Sequence, residues 1–265
     1  MSKRLTVFKM PKVQILLLLA LLAIVGIAMG GDSEAKLAVL TTALAAAVLA
    51  EWAFFGSVAS TSLQSAAISG LIIGLLISPS GNLLVAWSAA VVAIASKRLL
   101  VFREGKHIFN PAACGLLFSV LVFGNRLNWW GNSSAVVVVV GAGLLMLRLR
   151  RFSLPFAYFI TRTVTAALIG GIGSLSSALL LPNLFFAFIM LVEPKTSPAK
   201  RSEQWAFGAL CGVLATVYYR YLPAYEGDIL ALLTLNLLRP LLALQSRFRG
   251  LMRERRQIQN GGQAT

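Results

Sequence analysis

Long apolar runs recur from one end of this 265-residue chain to the other, and they restrict its fold more than any other feature. Hydrophobic residues make up 58% of the chain and charged residues only 12%, whereas about 25% of residues in soluble globular domains are charged. A run of about 20 apolar residues is long enough to cross a bilayer as a helix. The pattern therefore predicts an all-α integral membrane protein of the cell membrane, without a separate soluble domain.

Polar and basic stretches divide the apolar sequence into about ten predicted transmembrane helices. They cover residues 13–30, 37–55, 65–78, 83–96, 108–124, 133–147, 154–173, 175–192, 205–221 and 229–244. Outside them we predict a basic N-terminus over residues 1–12 and a basic, partly disordered tail over residues 245–265, so that residues 13–244 form a single transmembrane domain. A cleaved signal peptide is the alternative interpretation of the first run, which we predict to be a retained helix.

The net charge of +15 is sorted along the chain. If the N-terminus is cytoplasmic, the predicted cytoplasmic segments hold 19 of the 24 Lys and Arg residues, as expected from the positive-inside rule. The sorting predicts a multi-pass protein with both termini in the cytoplasm. Sorting of Lys and Arg to the cytoplasmic side of the membrane accounts for the net positive charge, so we predict no nucleic-acid partner.

Ten helices divide into five and five, and an odd number in each half makes the two repeats inverted. We predict repeats at about 13–124 and 133–244. Both halves contain a proline where a helix is interrupted, at Asn110-Pro111 and Glu193-Pro194, and Asn236 precedes Pro240. Asn110 is expected to cap the helix that Pro111 begins. Broken helices in matching places indicate a site near the midplane of the membrane.

Several segments, in order, resemble the RnfD/NqrB family, the membrane subunits of the Rnf complex and of the sodium-translocating NADH:quinone reductase. They are SAAISGLIIGLLISPS from Ser65, GKHIFNPAACGLL from Gly105, FFAFIMLVEPKTSP from Phe185, WAFGALCGVLATVYYR from Trp205 and YEGDILALLTLNLLRPLL from Tyr225. The resemblance covers about two thirds of the chain. It implies a ten-helix, internally repeated fold similar to that of urea channels, and other membrane or redox subunits as partners.

The resemblance also implies a role in passing electrons through flavin or quinone, with coupling to ion movement left open. Family members with covalent flavin attach FMN to a Thr in a Ser-Gly-Ala-Thr type motif, which this chain lacks. Covalent FMN is therefore doubtful, and the expected cofactor is non-covalent FMN or riboflavin. A cofactor-free channel for a small solute on the same fold is the alternative. A membrane anchor for a biosynthetic redox assembly is a third interpretation.

The residues predicted to bind a cofactor or to line a pore are Asn110, Pro111, Arg162, Glu193, Pro194 and Asn236. Arg162 lies near the middle of a predicted helix, where a charge needs a partner, and Glu51 is the only acid deep inside another one.

Other polar residues carry weaker signals. His107, the only histidine, is interpreted as a solvated side chain at the membrane edge, with a role in proton coupling as the alternative. Cys114 and Cys211 are interpreted as small buried hydrophobes. We predict no metal site and no catalytic residues, because no nucleophile–base pair or metal motif occurs in the sequence.

Overall fold

Helices occupy most of the chain in the computed structural model, which describes residues 11–56, 59–102, 106–170 and 183–238. The first five helices are α1 (Pro11–Ala28), α2 (Ser33–Phe55), α3 (Ser60–Leu76), α4 (Leu83–Leu99) and α5 (Pro111–Phe123). The following ones are α6 (Ala135–Leu149), α7 (Ser153–Gly170), α8 (Arg201–Tyr221) and α9 (Gly227–Leu238). A 3-10 turn covers Trp130–Asn132 and a π-helical segment covers Phe186–Met190.

The helix at the centre of the sequence prediction begins where the capping signal indicates. The side chain of Asn110 accepts a hydrogen bond from the backbone N–H of Ala113 at 2.9 Å, and Pro111 occupies the first helical turn. Such a cap satisfies one of the amides that the first turn leaves without an intrahelical acceptor. The prediction that Asn110-Pro111 opens a helix is confirmed.

A short hairpin and one isolated bridge between Ile77 and Leu127 are the departures from an all-α fold within the described residues. Strands β1 (Val101–Phe102) and β2 (Lys106–His107) pair antiparallel, with Val101 opposite His107. The hairpin joins α4 to α5, and the backbone N–H of Ile108 donates to the carbonyl of Leu100 at 2.9 Å. The prediction had extended the following helix back to residue 108, through the end of this connection.

Small residues allow the helices of each half to approach closely. A Cβ added to Gly115 of α5 would lie 3.0 Å from the carbonyl carbon of Ala89 in α4. In the second half, a Cβ added to Gly227 of α9 would lie 2.7 Å from the carbonyl oxygen of Ala215 in α8. Small residues at helix contacts are typical of membrane proteins, where packing drives association. In each half, one further helix packs on the same neighbour, α2 on α4 and α7 on α8.

Only α1 and α2 are at least 18 residues long and apolar enough to cross a membrane among the described residues. Shorter apolar helices cover Thr61–Leu76, Pro111–Phe123, Ala135–Leu149 and Gly227–Leu238. At 1.5 Å per residue, helices of this length fall short of a hydrocarbon core of about 30 Å. Several of the predicted transmembrane helices are therefore shorter in the structure than a helix that crosses the bilayer.

Many large apolar side chains of the helices face outward. Leu99, Val136 and Leu168 are each more than 70% exposed, and such a surface suits contact with lipid. The end of the seventh predicted helix, part of the eighth, the end of the tenth with Pro240, residues 1–10 and the whole tail over residues 245–265 lie outside the described residues.

Candidate functional site

Asn110 is one point at which the two halves of the chain meet. Its backbone N–H donates to Oδ1 of Asn236 at 2.9 Å, and its Nδ2 donates to Oε2 of Glu193 at 2.8 Å. Asn236 in turn donates through Nδ2 to the carbonyl of Thr196 at 3.1 Å. Asn110 and Asn236 are both almost fully buried. Three residues predicted from the broken-helix pattern therefore form one hydrogen-bonded junction.

A cavity of about 190 Å³ opens beside this junction. Asn110, Pro111, Glu193 and Pro194 all line it, so both interrupted segments face the same space. The apolar walls come from α1, α3, α6 and the end of the π-helical segment; they include Ile15, Leu18, Ile68, Ile72, Leu145, Phe188 and Met190. π-Helical turns occur often at functional sites. The arrangement gives a largely apolar space whose few polar side chains come from several segments.

Three lysines from separate segments lie on the cavity lining, namely Lys12 at the start of α1, Lys97 near the end of α4 and Lys195 after the π-helical segment. Nζ of Lys12 donates to the carbonyl of Thr61 at 2.9 Å. The ammonium group of Lys97 is 3.8 Å from Oε2 of Glu51, and it donates to the carbonyl of Ser65 at 3.1 Å. Lysines at such positions can hold an anionic group against the apolar walls.

These lysines were not among the predicted site residues. Each lies next to the end of an apolar run and was assigned to the positive charge of the cytoplasmic loops. The available signal was that Lys12 and Lys97 directly border a predicted membrane segment and that Lys195 lies three residues after one, which allows their stems to pack on apolar surface.

Arg162 lies away from the cavity, and its partner is not Glu51. Nη1 of Arg162 donates to Oδ1 and Oδ2 of Asp228 at 2.9 and 3.1 Å. The Asp228 side chain is fully buried and that of Arg162 is 12% exposed. Glu51 instead accepts a hydrogen bond from the hydroxyl of Ser62 and lies beside Lys97. The expected pairing of Arg162 with Glu51 is therefore wrong, although the expectation of a buried partner was right.

Asp228 is the centre of a second polar cluster, which the sequence analysis did not find. Its carboxylate accepts hydrogen bonds from the hydroxyls of Tyr158 at 2.6 Å and Tyr219 at 3.2 Å, and from Nδ2 of Asn183 at 3.3 Å. The Arg162 guanidinium also lies 5.1 Å from the Tyr219 ring centre. These donors come from α7, α8 and the segment before the π-helical turn, so the Asp228 cluster fixes α9 to three other parts of the bundle.

Glu226 adds a contact between the two halves close to the Asp228 cluster. Its carboxylate accepts hydrogen bonds from the backbone N–H of Leu127 at 3.3 Å and from the indole N–H of Trp129 at 3.2 Å. Burial in the loop before α9 raises the pKa of Glu226, and these two donors oppose the rise. The loop after α5 is thereby held against the start of α9.

His107 is buried, contrary to the solvated position predicted for it. Its side chain is 7% exposed, and Nε2 is 3.8 Å from Oε1 of Glu193.

Cys211 is buried and Cys114 half-buried, and both are free thiols. Within the described ranges, no group of three or more His, Cys, Asp or Glu side chains could hold a metal ion.

The comparisons with known proteins agree with one another. The model of the NQR2, RnfD, RnfE family matches residues 3–136 and 121–249. The chain is also similar to the D component of the ion-translocating oxidoreductase complex of Methanosarcina acetivorans, with 26% identity over 132 residues. That match covers 49% of this chain and 45% of the relative, so it spans less than half of the relative's length. The family matches cover nearly the whole sequence, and the chain is a membrane protein that belongs to the NQR2, RnfD, RnfE family.

Proposed function

We propose that this chain is a membrane subunit of an electron transport complex and holds a flavin or a quinone non-covalently in the cavity beside Asn110. Family membership and the similarity to a component of an ion-translocating oxidoreductase support the complex. The observation that carries the proposal is the cavity itself, because apolar walls and three lysines surround one space at the interrupted helices.

The residues around the cavity fit an aromatic ring with an anionic group. Ile68, Ile72 and Phe188 give apolar faces for a planar ring system. The volume of about 190 Å³ is below the roughly 300–1,000 Å³ of most small-molecule sites, so the cavity suits the ring of a cofactor, with its side chain extending outward.

A bound flavin or quinone supplies the electron-transfer chemistry, and the protein supplies binding and orientation. The apolar walls exclude water from the ring. Lys12, Lys97 and Lys195 stabilise negative charge on a phosphate or on a reduced ring, because an ammonium group interacts more strongly with an anion where water is excluded.

We also propose that the two halves are inverted repeats and that both termini are cytoplasmic. The matched close contacts of Gly115 with Ala89 and of Gly227 with Ala215 support the repeat. The gathering of Lys12, Lys97 and Lys195 around one opening supports a cytoplasmic location for it.

The proposed partners are other membrane or redox subunits, with ion translocation as the coupled process. The solute channel stays an alternative, with no contact among the described residues that favours it.

Replacing Lys97 by methionine tests the proposal. We expect detergent-purified protein to bind FMN more tightly than riboflavin, because the phosphate meets the lysines. Lys97→Met should weaken FMN binding at least about tenfold, since a hydrogen bond to a charged group is worth about 1.5–3 kcal/mol. Riboflavin binding should change much less. Quenching of flavin fluorescence measures both affinities.

Lys36→Met is the matched control. Lys36 is also a buried lysine that donates to a carbonyl, that of Gly26 at 2.8 Å, but it does not line the cavity. Equal losses of FMN affinity in the two variants would contradict the assignment of the phosphate to Lys97. Absence of binding of FMN, riboflavin and a short-chain quinone to the wild-type protein would contradict the proposed function itself.

A further inference from the structure

The ring nitrogen Nε2 of His107 is buried and faces Glu193, which is one of the residues that line the cavity. His107 is the last residue of β2 and pairs with Val101 of β1, in the hairpin that connects α4 to α5. Nε2 has no hydrogen-bond partner within the described residues, and the nearest charged atom is Oε1 of Glu193 at 3.8 Å. A separation of 3.8 Å is longer than a direct hydrogen bond and is one that a single water can bridge.

Glu193 connects His107 with the cavity. Oε2 of Glu193 accepts hydrogen bonds from Nδ2 of Asn110 at 2.8 Å and from the hydroxyl of Thr196 at 3.0 Å. Oε1 faces His107 and accepts no hydrogen bond from the described residues. Because Glu193 also lines the cavity, its carboxyl group lies between the imidazole and the space proposed for the redox group.

The other titratable groups around this pair are few. Lys97 interacts electrostatically with Glu193, and so does the Cys114 thiol. Lys195 and Lys12 complete the charged surroundings on the cavity wall. Histidine is the side chain whose ordinary titration range includes neutral pH, and the imidazole is the group that faces Oε1 of Glu193 at 3.8 Å. Its position and its chemistry therefore suit proton exchange with Glu193.

We propose that His107 and Glu193 form a proton-transfer pair that delivers a proton to the redox group in the cavity when that group is reduced. This inference rests on the proposed function. The Nε2–H bond of the imidazolium breaks as its proton passes to the bridging water, and that water gives up a proton as an O–H bond forms at Oε1 of Glu193. The carboxyl group then passes a proton to an oxygen or nitrogen atom of the reduced ring. The electrons come from an electron-carrying partner protein of the complex, and water returns a proton to the imidazole. Asn110 and Thr196 are positioning residues, since they hold the other carboxyl oxygen.

The single histidine permits a test of the contact that needs no bound redox group. Protein labelled with ¹⁵N-histidine gives the nitrogen signals of His107 alone. At fixed pH, Glu193→Gln should shift the Nε2 resonance, because it removes the charge that faces this atom. The matched control is Glu203→Gln, a 54% exposed acid that pairs with Lys200, and it should leave the resonance unchanged. An unchanged Nε2 resonance in Glu193→Gln would overturn the pairing.

Proton delivery is tested with menadione as the probe and reduced methyl viologen as the electron donor. Two reduced viologens supply two electrons and no protons, so each menadione takes up two protons from the medium as it becomes the quinol. A pH indicator in a stopped-flow instrument records this uptake. We expect His107→Gly to slow proton uptake at least tenfold and added imidazole to restore it. His107→Gln, which keeps a side chain of similar length, should give the same slow uptake if the glycine variant does not fold.

The outcomes separate the two proposals. Bound menadione with unchanged proton uptake in the His107 variants overturns the proton-transfer pair alone. Slow uptake that imidazole does not restore also overturns it, because the histidine would then hold the structure without carrying the proton. Failure of the wild-type protein to bind FMN or menadione removes the proposed function, and the proton-transfer pair falls with it even where the Nε2 resonance responds to Glu193→Gln.

Discussion

Replacing Asp228 by alanine is expected to destabilise the folded protein by about 3–5 kcal/mol, the usual result of removing one member of a buried charge pair. The substitution leaves the Arg162 guanidinium without its counterion and removes the acceptor for Tyr158, Tyr219 and Asn183. These donors lie in different segments, so the loss should loosen α7, α8 and α9 together. Thermal unfolding in detergent, followed by circular dichroism, and the yield of monodisperse protein measure the effect.

Two further variants define what the Asp228 result means. Glu203→Ala removes an exposed acid whose ion pair with Lys200 is worth little, and it should leave the unfolding temperature almost unchanged. Arg162→Met combined with Asp228→Leu should recover part of the loss, because the uncompensated charge is gone. A single Asp228→Ala variant that is as stable as the wild type would contradict the structural role assigned to this cluster.

Replacing Gly115 by valine is the second change with a large expected effect. A Cβ at this position would lie 3.0 Å from the carbonyl carbon of Ala89 and 3.1 Å from Cβ of Ala93, so α5 and α4 would have to separate. Overpacking of this kind costs about 1–3 kcal/mol and sometimes more. Because α5 begins at Asn110 and Pro111, its displacement should also weaken FMN binding. Thermal unfolding and flavin fluorescence quenching measure the two consequences.

Gly143→Val is the matched control for Gly115→Val. Gly143 lies in α6, and a Cβ added there meets no atom within 4 Å. The control should keep both the unfolding temperature and the FMN affinity of the wild-type protein. Equal behaviour of the two glycine variants would show that close contact between α5 and α4 does not hold the cavity together.

The junction at Asn110 was predictable from the sequence because its signals are local. An asparagine before a proline indicates a capped helix start whatever surrounds it, and the cap is present. The interruption at Glu193 was predicted from Pro194 in the same way, whereas Asn236 lies inside α9 and Pro240 lies outside the described residues. The hydrogen bonds that Asn110 makes with Asn236 and with Glu193 could not be predicted, since they join positions 126 and 83 residues apart in the chain.

The partner of Arg162 was missed for a specific reason. The predicted helix began at residue 229, which assigned Asp228 to a loop, whereas α9 begins at Gly227. A difference of two residues moved the acid from the predicted aqueous edge into the buried first turn. Helix boundaries are the least certain part of a sequence reading, and here one of them decided which acid lies inside the bundle.

His107 was misassigned because its neighbours in sequence are basic and polar. The pattern Arg103-Glu104-Gly105-Lys106 is typical of a solvated loop, and the prediction extended that environment to His107. A two-residue strand pairing places the imidazole inside. Hairpins this short leave no periodic pattern in the sequence, so the burial of His107 depends on tertiary structure alone.

The visible absorption spectrum of the gently purified protein, taken before and after acid precipitation, tests the central claim most directly. We expect a flavin spectrum, or a quinone in the organic extract, and we expect any yellow colour to pass into the acid supernatant because the cofactor is held without a covalent bond. Add-back of FMN should restore the spectrum to protein that lost its flavin during purification. A folded protein that carries neither group and binds neither FMN nor a short-chain quinone would contradict the claim, and yellow colour retained in the precipitate would contradict non-covalent binding.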